Sequence, residues 1–270
     1  MGVRTRWLRR LAWTLVLPAV MAVAAETATQ TTQATQATQK DPHEEALIAR
    51  KITPDLPGIT AYLRTVQELY GRPQAIQDLI RQLGDKSWQA REDATARLVE
   101  MPILPEELLQ EATKSPDAEI SARAELVLRT AKGRGTGDVL IAAFRVLRTK
   151  RLQGAAGDIL KVLPYCQSRW MLSAATDALA ATSRQEDLPL LRESLRSATP
   201  AVREAAATAL AAMTGEKAAD DLKGLLEDKD GQVALAAARG LAYLGRRECL
   251  ATLGAVGVVL HKSGVVTAVR

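Results

Sequence analysis

A chain of 270 residues with 47% hydrophobic and 25% charged side chains has enough apolar material for a folded core, which argues against a fully disordered polymer. Two cysteines and two histidines are too few for a disulfide-stapled scaffold or a multi-histidine metal site. The net charge of +5 falls to +1 when the four arginines of the first ten residues are set aside, so a globally basic nucleic-acid-binding protein is not indicated.

Residues 1–25 have the layout of a secretory signal peptide. The four arginines form a basic head, residues 11–23 form an apolar stretch, and small residues at 22–25 supply a cleavage point. The apolar stretch is shorter than the roughly 20 residues of a membrane span. We therefore expect export to a periplasmic or extracellular location, with an uncleaved amino-terminal anchor as the alternative.

A linker and a group of helices follow the predicted leader. Residues 26–45 are mostly a low-complexity run of Thr, Gln and Ala, which has little to bury and predicts a disordered linker. Residues 46–83 read as two or three helices, with Pro- and Gly-containing breaks at 54–58 and 71–73. We expect these helices to cap the amino-terminal end of the domain that follows.

One helical sequence pattern, called the template below, occurs six times between residues 84 and 262. An apolar residue is followed four positions later by Ala and eight positions later by Leu, which places all three on one stripe of a helix. The central alanines recur at intervals of 30, 19, 32, 31 and 31 residues and are Ala94, Ala124, Ala143, Ala175, Ala206 and Ala237. Such periods without strands predict an all-α fold, an α-solenoid of about six stacked helical pairs.

Second helices of these pairs are predicted after short breaks, at 104–111, 155–163, 188–195, 218–226 and 250–260. The interval of 19 residues is too short for a full pair, so the second repeat is expected to lack its partner helix. Residues 263–270 form a ragged tail whose SGVVTAVR resembles the opening of another first helix. The final layer is apolar, which predicts a docking surface for a partner or second copy, a truncated reading frame, or a cap of a kind not recognised from its sequence.

Several single residues are assigned to the core. Cys166 and Cys249 lie in different repeats, too far apart for a disulfide, and are interpreted as small apolar core residues. Trp88 and Trp170 precede or begin template helices, where packing against the preceding layer is expected. Tyr62 is eight residues before Tyr70, and we expect both to share one buried stripe of their helix.

The repeats resemble HEAT repeats, whose first helix carries a Val-Arg pair and an Ala-x-x-x-Leu core, as VREAAATAL does at 202–210. Segments 83–101, 115–128 and 141–166 are similar to exported HEAT-repeat proteins of planctomycetes. The resemblance implies an α-solenoid in the cell envelope that mediates protein–protein interaction and has no assigned chemistry.

Catalytic chemistry is not predicted from the side chains present. His43 and His261 lie outside the template helices, and the adjacent acid pairs are interpreted as helix-start or solvated residues. We predict no enzyme activity, no cofactor and no metal. The alternative is a lyase or cofactor-handling protein on the same scaffold, resembling the HEAT-like lyases that attach pigments.

Charge is concentrated in one block, residues 129–169, with nine bases and two acids. It coincides with the shortened repeat and is the best binding candidate in the sequence, although it could also be a solvated face. The functional alternative is an anionic polymer or lipid headgroups, and nucleic acid is not expected. The candidate anion-binding residues are Arg129, Lys132, Arg134, Arg145, Arg148, Lys150 and Arg151.

Overall fold

The fold of the second of two compact units is an α-solenoid, as the periodicity predicts. The computed structural model describes residues 41–132, 137–255, 258–260 and 266–268. The two units are Met1–Glu45 and Ala46–Arg270. The regular structure of the described residues consists of fourteen α-helices, four short 3₁₀ turns and two three-residue strands. The predicted signal peptide, and the linker up to residue 40, lie outside the described residues.

Three helices precede the repeats and the others alternate between first and second helices. The preceding helices are α1 (Pro42–Ile48), α2 (Leu56–Tyr70) and α3 (Pro73–Gln82). The first helices are α4 (Trp88–Val99), α6 (Ala118–Lys132), α7 (Asp138–Thr149), α9 (Arg169–Thr182), α11 (Pro200–Thr214) and α13 (Gly231–Tyr243). The second helices are α5 (Glu106–Ala112), α8 (Ala156–Val162), α10 (Leu188–Ser194), α12 (Ala219–Lys223) and α14 (Leu250–Ala255).

Stacking of the first helices builds the solenoid. Helices α7, α9, α11 and α13 lie side by side in chain order, and α4 packs against α6. Second helices pack against the first helix of the following repeat, as α10 does against α11 and α12 against α13. One continuous hydrophobic core results, running from Leu47 to Leu253.

The central alanine of the template lies in the core where neighbouring helices pack together. All six of these alanines have no exposed surface. A side chain that ends at Cβ lets neighbouring helix axes approach closely, and the leucine one turn later fills the space beside it. Five of the six template leucines are fully buried as well, and Leu128 is half-buried. The role predicted for this stripe is therefore confirmed.

Four first helices begin with the same cap, placed three residues before the first template residue. The side-chain oxygen accepts a hydrogen bond from the N–H of that template residue, at 3.1–3.4 Å. The capping residues are Ser87, Asp117, Ser168 and Asp230. Ser115 also suits a helix start, but α6 begins at Ala118 and its cap is Asp117.

The second repeat lacks a partner helix, as the short interval predicts. Helix α6 ends at Lys132 and α7 begins at Asp138, which leaves no room for another helix. Helix α2 packs against α8, a contact that a simple amino-terminal cap does not require. Tyr70, at the end of α2, stacks on Tyr165 with ring centroids 5.7 Å apart. Its hydroxyl donates to the Ile103 carbonyl and accepts from the Ile103 N–H, at 2.8 Å for the latter.

The carboxyl-terminal end differs from the prediction. The helix expected over 250–260 ends at Ala255, and Val258–Leu260 instead pairs antiparallel with Val266–Ala268. Two glycines and consecutive valines over 254–259 disfavour a helix, and β-branched residues favour a strand. The segment that resembled another first helix is therefore a strand at 266–268.

Cysteine and tyrosine positions match their predicted packing. Cys249 is fully buried and Cys166 is half-buried against the core, and both thiols are free. Burial raises the pKa of Cys166 to about 12, which makes its thiol a poor nucleophile near neutral pH. Tyr70 is buried, and Tyr62 packs at the edge of the same core.

Candidate functional site: a groove across three first helices

The predicted basic residues are exposed where the structure describes their side chains. Arg129 lies on α6, Arg145 and Arg148 lie on α7, and Lys150 and Arg151 lie in the turn that follows α7. Lys132 is the last residue of α6, and Arg134 lies outside the described residues. These candidate anion-binding residues are therefore spread over two helices and a turn.

Some residues of this basic block make contacts that hold parts of the fold together. Arg148 Nη1 lies 2.9 Å from Asp177 Oδ2, which ties α7 to α9. Lys150 Nζ donates to the Pro54 carbonyl at 3.1 Å. Arg151 adopts a left-handed backbone conformation, with φ of 50°, in the turn after α7. Binding of a polyanion by the block stays a prediction.

A groove of about 460 Å³ lies across α9, α11 and α13. A volume in this range suits a small ligand or a few side chains of a partner. Its floor and walls combine small apolar residues with a polar rim. The lining residues are Arg169, Ser173, Thr176, Asp177, Glu204, Thr208, Ala211, Ala212, Gln232, Ala236, Arg239, Gly240 and Tyr243.

Small side chains create this groove. A Cβ on Gly240 would lie 2.9 Å from Leu222 Cδ1 and 3.0 Å from Ala211 Cβ, so α13 approaches its neighbours as closely as it does only with glycine there. Ala212 and Ala236 add no atoms beyond Cβ to the same surface. The runs of alanine in α11 and α13 are the sequence signal for the groove, but they were interpreted only as core.

The rim of the groove carries a network of opposite charges. Arg169 Nη1 lies 3.2 Å from Glu204 Oε2, and its Nη2 donates to Gln232 Oε1 at 3.1 Å. Asp177 is paired with Arg148. These contacts bridge α7, α9, α11 and α13 and balance their own charges.

Arg239 is the exception on this rim. Its side chain is exposed, and no hydrogen bond or ion pair links it to another side chain in the described part of the protein. The exposed Tyr243 follows it one turn later on α13. The groove therefore has one uncommitted positive charge beside an aromatic ring.

Thr176 is the second unpaired polar group of the groove. The residue is only 8% exposed, and its Oγ1 is buried without a hydrogen-bond partner among the described residues. Six other helical threonines donate to the carbonyl four residues earlier, and they are Thr60, Thr65, Thr95, Thr149, Thr182 and Thr208. Burying a hydroxyl without a partner costs about 1–3 kcal/mol. Thr176 therefore destabilises the fold relative to a threonine that makes this hydrogen bond.

Three acids from the closely spaced acid pairs of the sequence make structural contacts. Asp228 binds Arg203, and Asp221 lies 2.9 Å from Arg192. Asp230 caps α13. Within residues 41–132 and 137–255 no group of three or more His, Cys, Asp or Glu side chains could hold a metal ion. Asp230 lies at a helix start, as interpreted from the sequence, whereas Asp228 is buried in an ion pair and is not a solvated residue.

The tryptophans do not pack as predicted. Trp88 is 62% exposed and Trp170 is 78% exposed. Both lie in the first turn of a first helix, where one side of the helix faces solvent rather than the preceding layer. Trp170 directly follows the groove residue Arg169 in sequence but is not among the residues that line the groove.

Comparison with known proteins supports the repeat assignment for part of the chain. Residues 158–242, from α8 to α13, match a family model described as HEAT repeats. Repeats of this family commonly serve as protein-interaction scaffolds. No curated protein matches the chain. Among the described residues, no helix is both long and apolar enough to cross a membrane. The groove lies within the matched segment apart from Tyr243, so the HEAT-repeat part of the chain builds the candidate site.

Proposed function

We propose that this protein is an exported, non-catalytic HEAT-repeat scaffold that binds a partner protein in the cell envelope. The groove across α9, α11 and α13 is the observation that carries the proposal. Three consecutive repeats line the groove. It therefore extends along the direction in which the repeats stack and is not formed by a single loop. A surface of this kind suits recognition of an extended partner by shape and charge.

The contacts of the polar residues favour binding over catalysis. A catalytic site needs side chains whose hydrogen bonds and charges are available to a substrate. In this groove the rim acids and Arg169 are committed to contacts between helices. A chromophore or metal that co-purified with the protein in stoichiometric amount would contradict the non-catalytic proposal and favour the lyase-like alternative.

Export is supported by the basic head, apolar stretch and small residues of positions 1–25. Expression of the full chain in a bacterial host, followed by fractionation and intact mass measurement, tests it. We expect a periplasmic product that has lost about the first 25 residues. A membrane-bound product of full mass would support the anchor alternative, and a cytoplasmic product of full mass would contradict export.

Affinity capture tests the scaffold function. The full chain is used as bait in envelope extracts, bound proteins are identified by mass spectrometry, and the purified candidate is mixed with the chain in size-exclusion chromatography. We expect one partner to co-elute with the chain as a defined complex. If repeated captures give no protein that re-forms a complex when purified, the scaffold proposal is wrong.

A polyanion-binding function is the second candidate, because all seven described basic side chains of residues 129–169 are exposed. Retention on heparin and on vesicles containing anionic lipid should then fall steeply with salt. Arg129 and Arg151 are the residues to reverse to Glu, since Arg148 and Lys150 hold Asp177 and the Pro54 carbonyl. Retention that is unchanged in this double variant would remove the basic block as the binding site.

A further inference from the structure

We infer that the groove binds a segment of a partner protein in which an acidic side chain is adjacent to small or aliphatic ones. The inference rests on the proposed scaffold function and names the site and the partner chemistry. It draws on three observations: the unbalanced charge of Arg239, the apolar floor of the groove, and the unsatisfied hydroxyl of Thr176.

Charge selects the acidic partner. Arg169 is paired with Glu204 and Asp177 with Arg148, so these four side chains contribute no net charge. Arg239 remains, and a guanidinium binds a carboxylate through two parallel hydrogen bonds. One uncompensated cation offers too few contacts for a polymer of closely spaced negative charges, which disfavours nucleic acid and a lipid surface. A single carboxylate on a peptide matches the single charge of Arg239.

Shape selects a short peptide segment. The groove of about 460 Å³ is large enough for a few side chains and too small for a folded domain. Ala212, Ala236 and Gly240 contribute small apolar surface to its lining, which can contact methyl groups of a partner. Tyr243 is 79% exposed at one end, and an aromatic ring of this kind is a common anchor at protein interfaces.

Thr176 supplies a hydrogen bond that the protein itself leaves unused. Its hydroxyl does not donate to the carbonyl four residues earlier, whereas that of Thr208, on the neighbouring helix of the same groove, does at 3.0 Å. Thr176 lines the groove, and a partner bound there reaches the hydroxyl when rotation about χ1 turns the buried Oγ1 toward the groove. The free protein is then destabilised by an unmade hydrogen bond that the complex completes, as is common where stability and function conflict.

Selection of random peptides displayed on phage, with the full chain as bait, tests this inference. We expect enriched peptides to share an Asp or Glu next to Ala, Val or Leu. The best synthetic peptide is then titrated by fluorescence anisotropy against the wild type and three variants. Arg239→Gln should weaken binding about tenfold or more, and Thr176→Val several-fold. Arg196→Gln, an exposed arginine outside the groove, should leave the affinity unchanged.

A second readout separates binding from folding. Thr176→Val should raise the melting temperature while it lowers affinity, because an apolar methyl replaces a buried unsatisfied hydroxyl. Enriched peptides without an acid, equal affinity for the Arg239→Gln variant, displacement by free glutamate, or a lower melting temperature for Thr176→Val would each overturn the inference. If a purified envelope partner binds the Arg239→Gln and Thr176→Val variants as well as the wild type, the scaffold function stands and only the groove assignment fails.

Discussion

The ion pair between Arg203 and Asp228 should be the most sensitive polar contact of the solenoid. Arg203 lies on α11 and Asp228 in the loop before α13, and their side chains are only 7% and 9% exposed. Two hydrogen bonds join them, at 2.8 Å from Nε and 2.7 Å from Nη2. Arg203 Nη1 also donates to the carbonyls of Ser197 and Ala198, so one guanidinium fixes the loop before its own helix and the loop of the next repeat.

The substitution Asp228→Asn removes the negative charge with little change in volume. The guanidinium of Arg203 then stays buried without a counter-charge, which typically costs about 3–5 kcal/mol. The matched control is Asp221→Asn, because Asp221 pairs with Arg192 across neighbouring repeats at a similar distance but is 30% exposed. An exposed pair of this kind contributes about 0–1 kcal/mol.

Urea denaturation followed by circular dichroism measures both variants, and hydrogen exchange read by mass spectrometry locates the effect. In a repeat protein the loss should concentrate at the affected interface, so α13 should lose protection and α7 should keep it. Equal destabilisation by Asp228→Asn and Asp221→Asn, or a loss below about 1 kcal/mol for Asp228→Asn, would refute the assignment of burial as the cause.

Lowering the pH should reduce the difference in the free energy of unfolding between the wild type and the Asp228→Asn variant. Hydrogen bonds from Arg203 lower the pKa of Asp228 in the folded protein, so its ionised form contributes stability above the unfolded carboxyl pKa of about 3.9. This contribution is lost as the pH falls through the lower folded pKa. Urea midpoints of the two proteins should differ most near neutral pH and converge below about pH 4. A constant difference down to pH 2 would contradict this origin.

Two further substitutions test the packing. Tyr70→Phe removes both hydrogen bonds to Ile103 and should cost about 1–3 kcal/mol in urea denaturation, whereas exposed Tyr243→Phe should change stability by less than about 0.5 kcal/mol. Ala237→Leu inserts three carbons into a fully buried contact and should lower the free energy of unfolding by about 1–3 kcal/mol or more. Exposed Ala122→Leu is its control, and equal losses at both alanines would contradict close packing of the template stripe.

Periodic features of the fold were predictable from the sequence because they depend on local spacing. The six buried alanines and the missing partner helix follow from positions within about one turn or one repeat. The caps were less predictable, since Ser115 and Asp117 both suit a helix start and only backbone geometry selects Asp117. The strand at 258–260 was missed because an apolar run with alanine upstream suits a helix until its glycines and valines are weighed.

The groove was not predictable because its residues come from three repeats that only stacking brings together. Arg239 and Thr176 are 63 positions apart and carry no local motif. The basic block was visible as a run of charge, but sequence gives no information on which of its cations are paired. Asp177 lies 29 residues from its partner Arg148, and Pro54 lies 96 residues from its partner Lys150. Site prediction therefore failed where it required the register between repeats.

Helix α2 and the residues just before it contact repeats that are distant in sequence, which a simple linear stack of repeats would not show. In a regular array each repeat touches only its neighbours, so stability is a sum of local terms. Here Arg64 Nε lies 3.0 Å from Asp158 Oδ1, and Lys150 Nζ lies 3.1 Å from the Pro54 carbonyl, across 94 and 96 residues of sequence. Tyr70 adds contacts to Ile103 and Tyr165, on either side of the shortened repeat. Helix α2 therefore stabilises the place where the array lacks a second helix, and residues before the first repeat belong to the packing of the third.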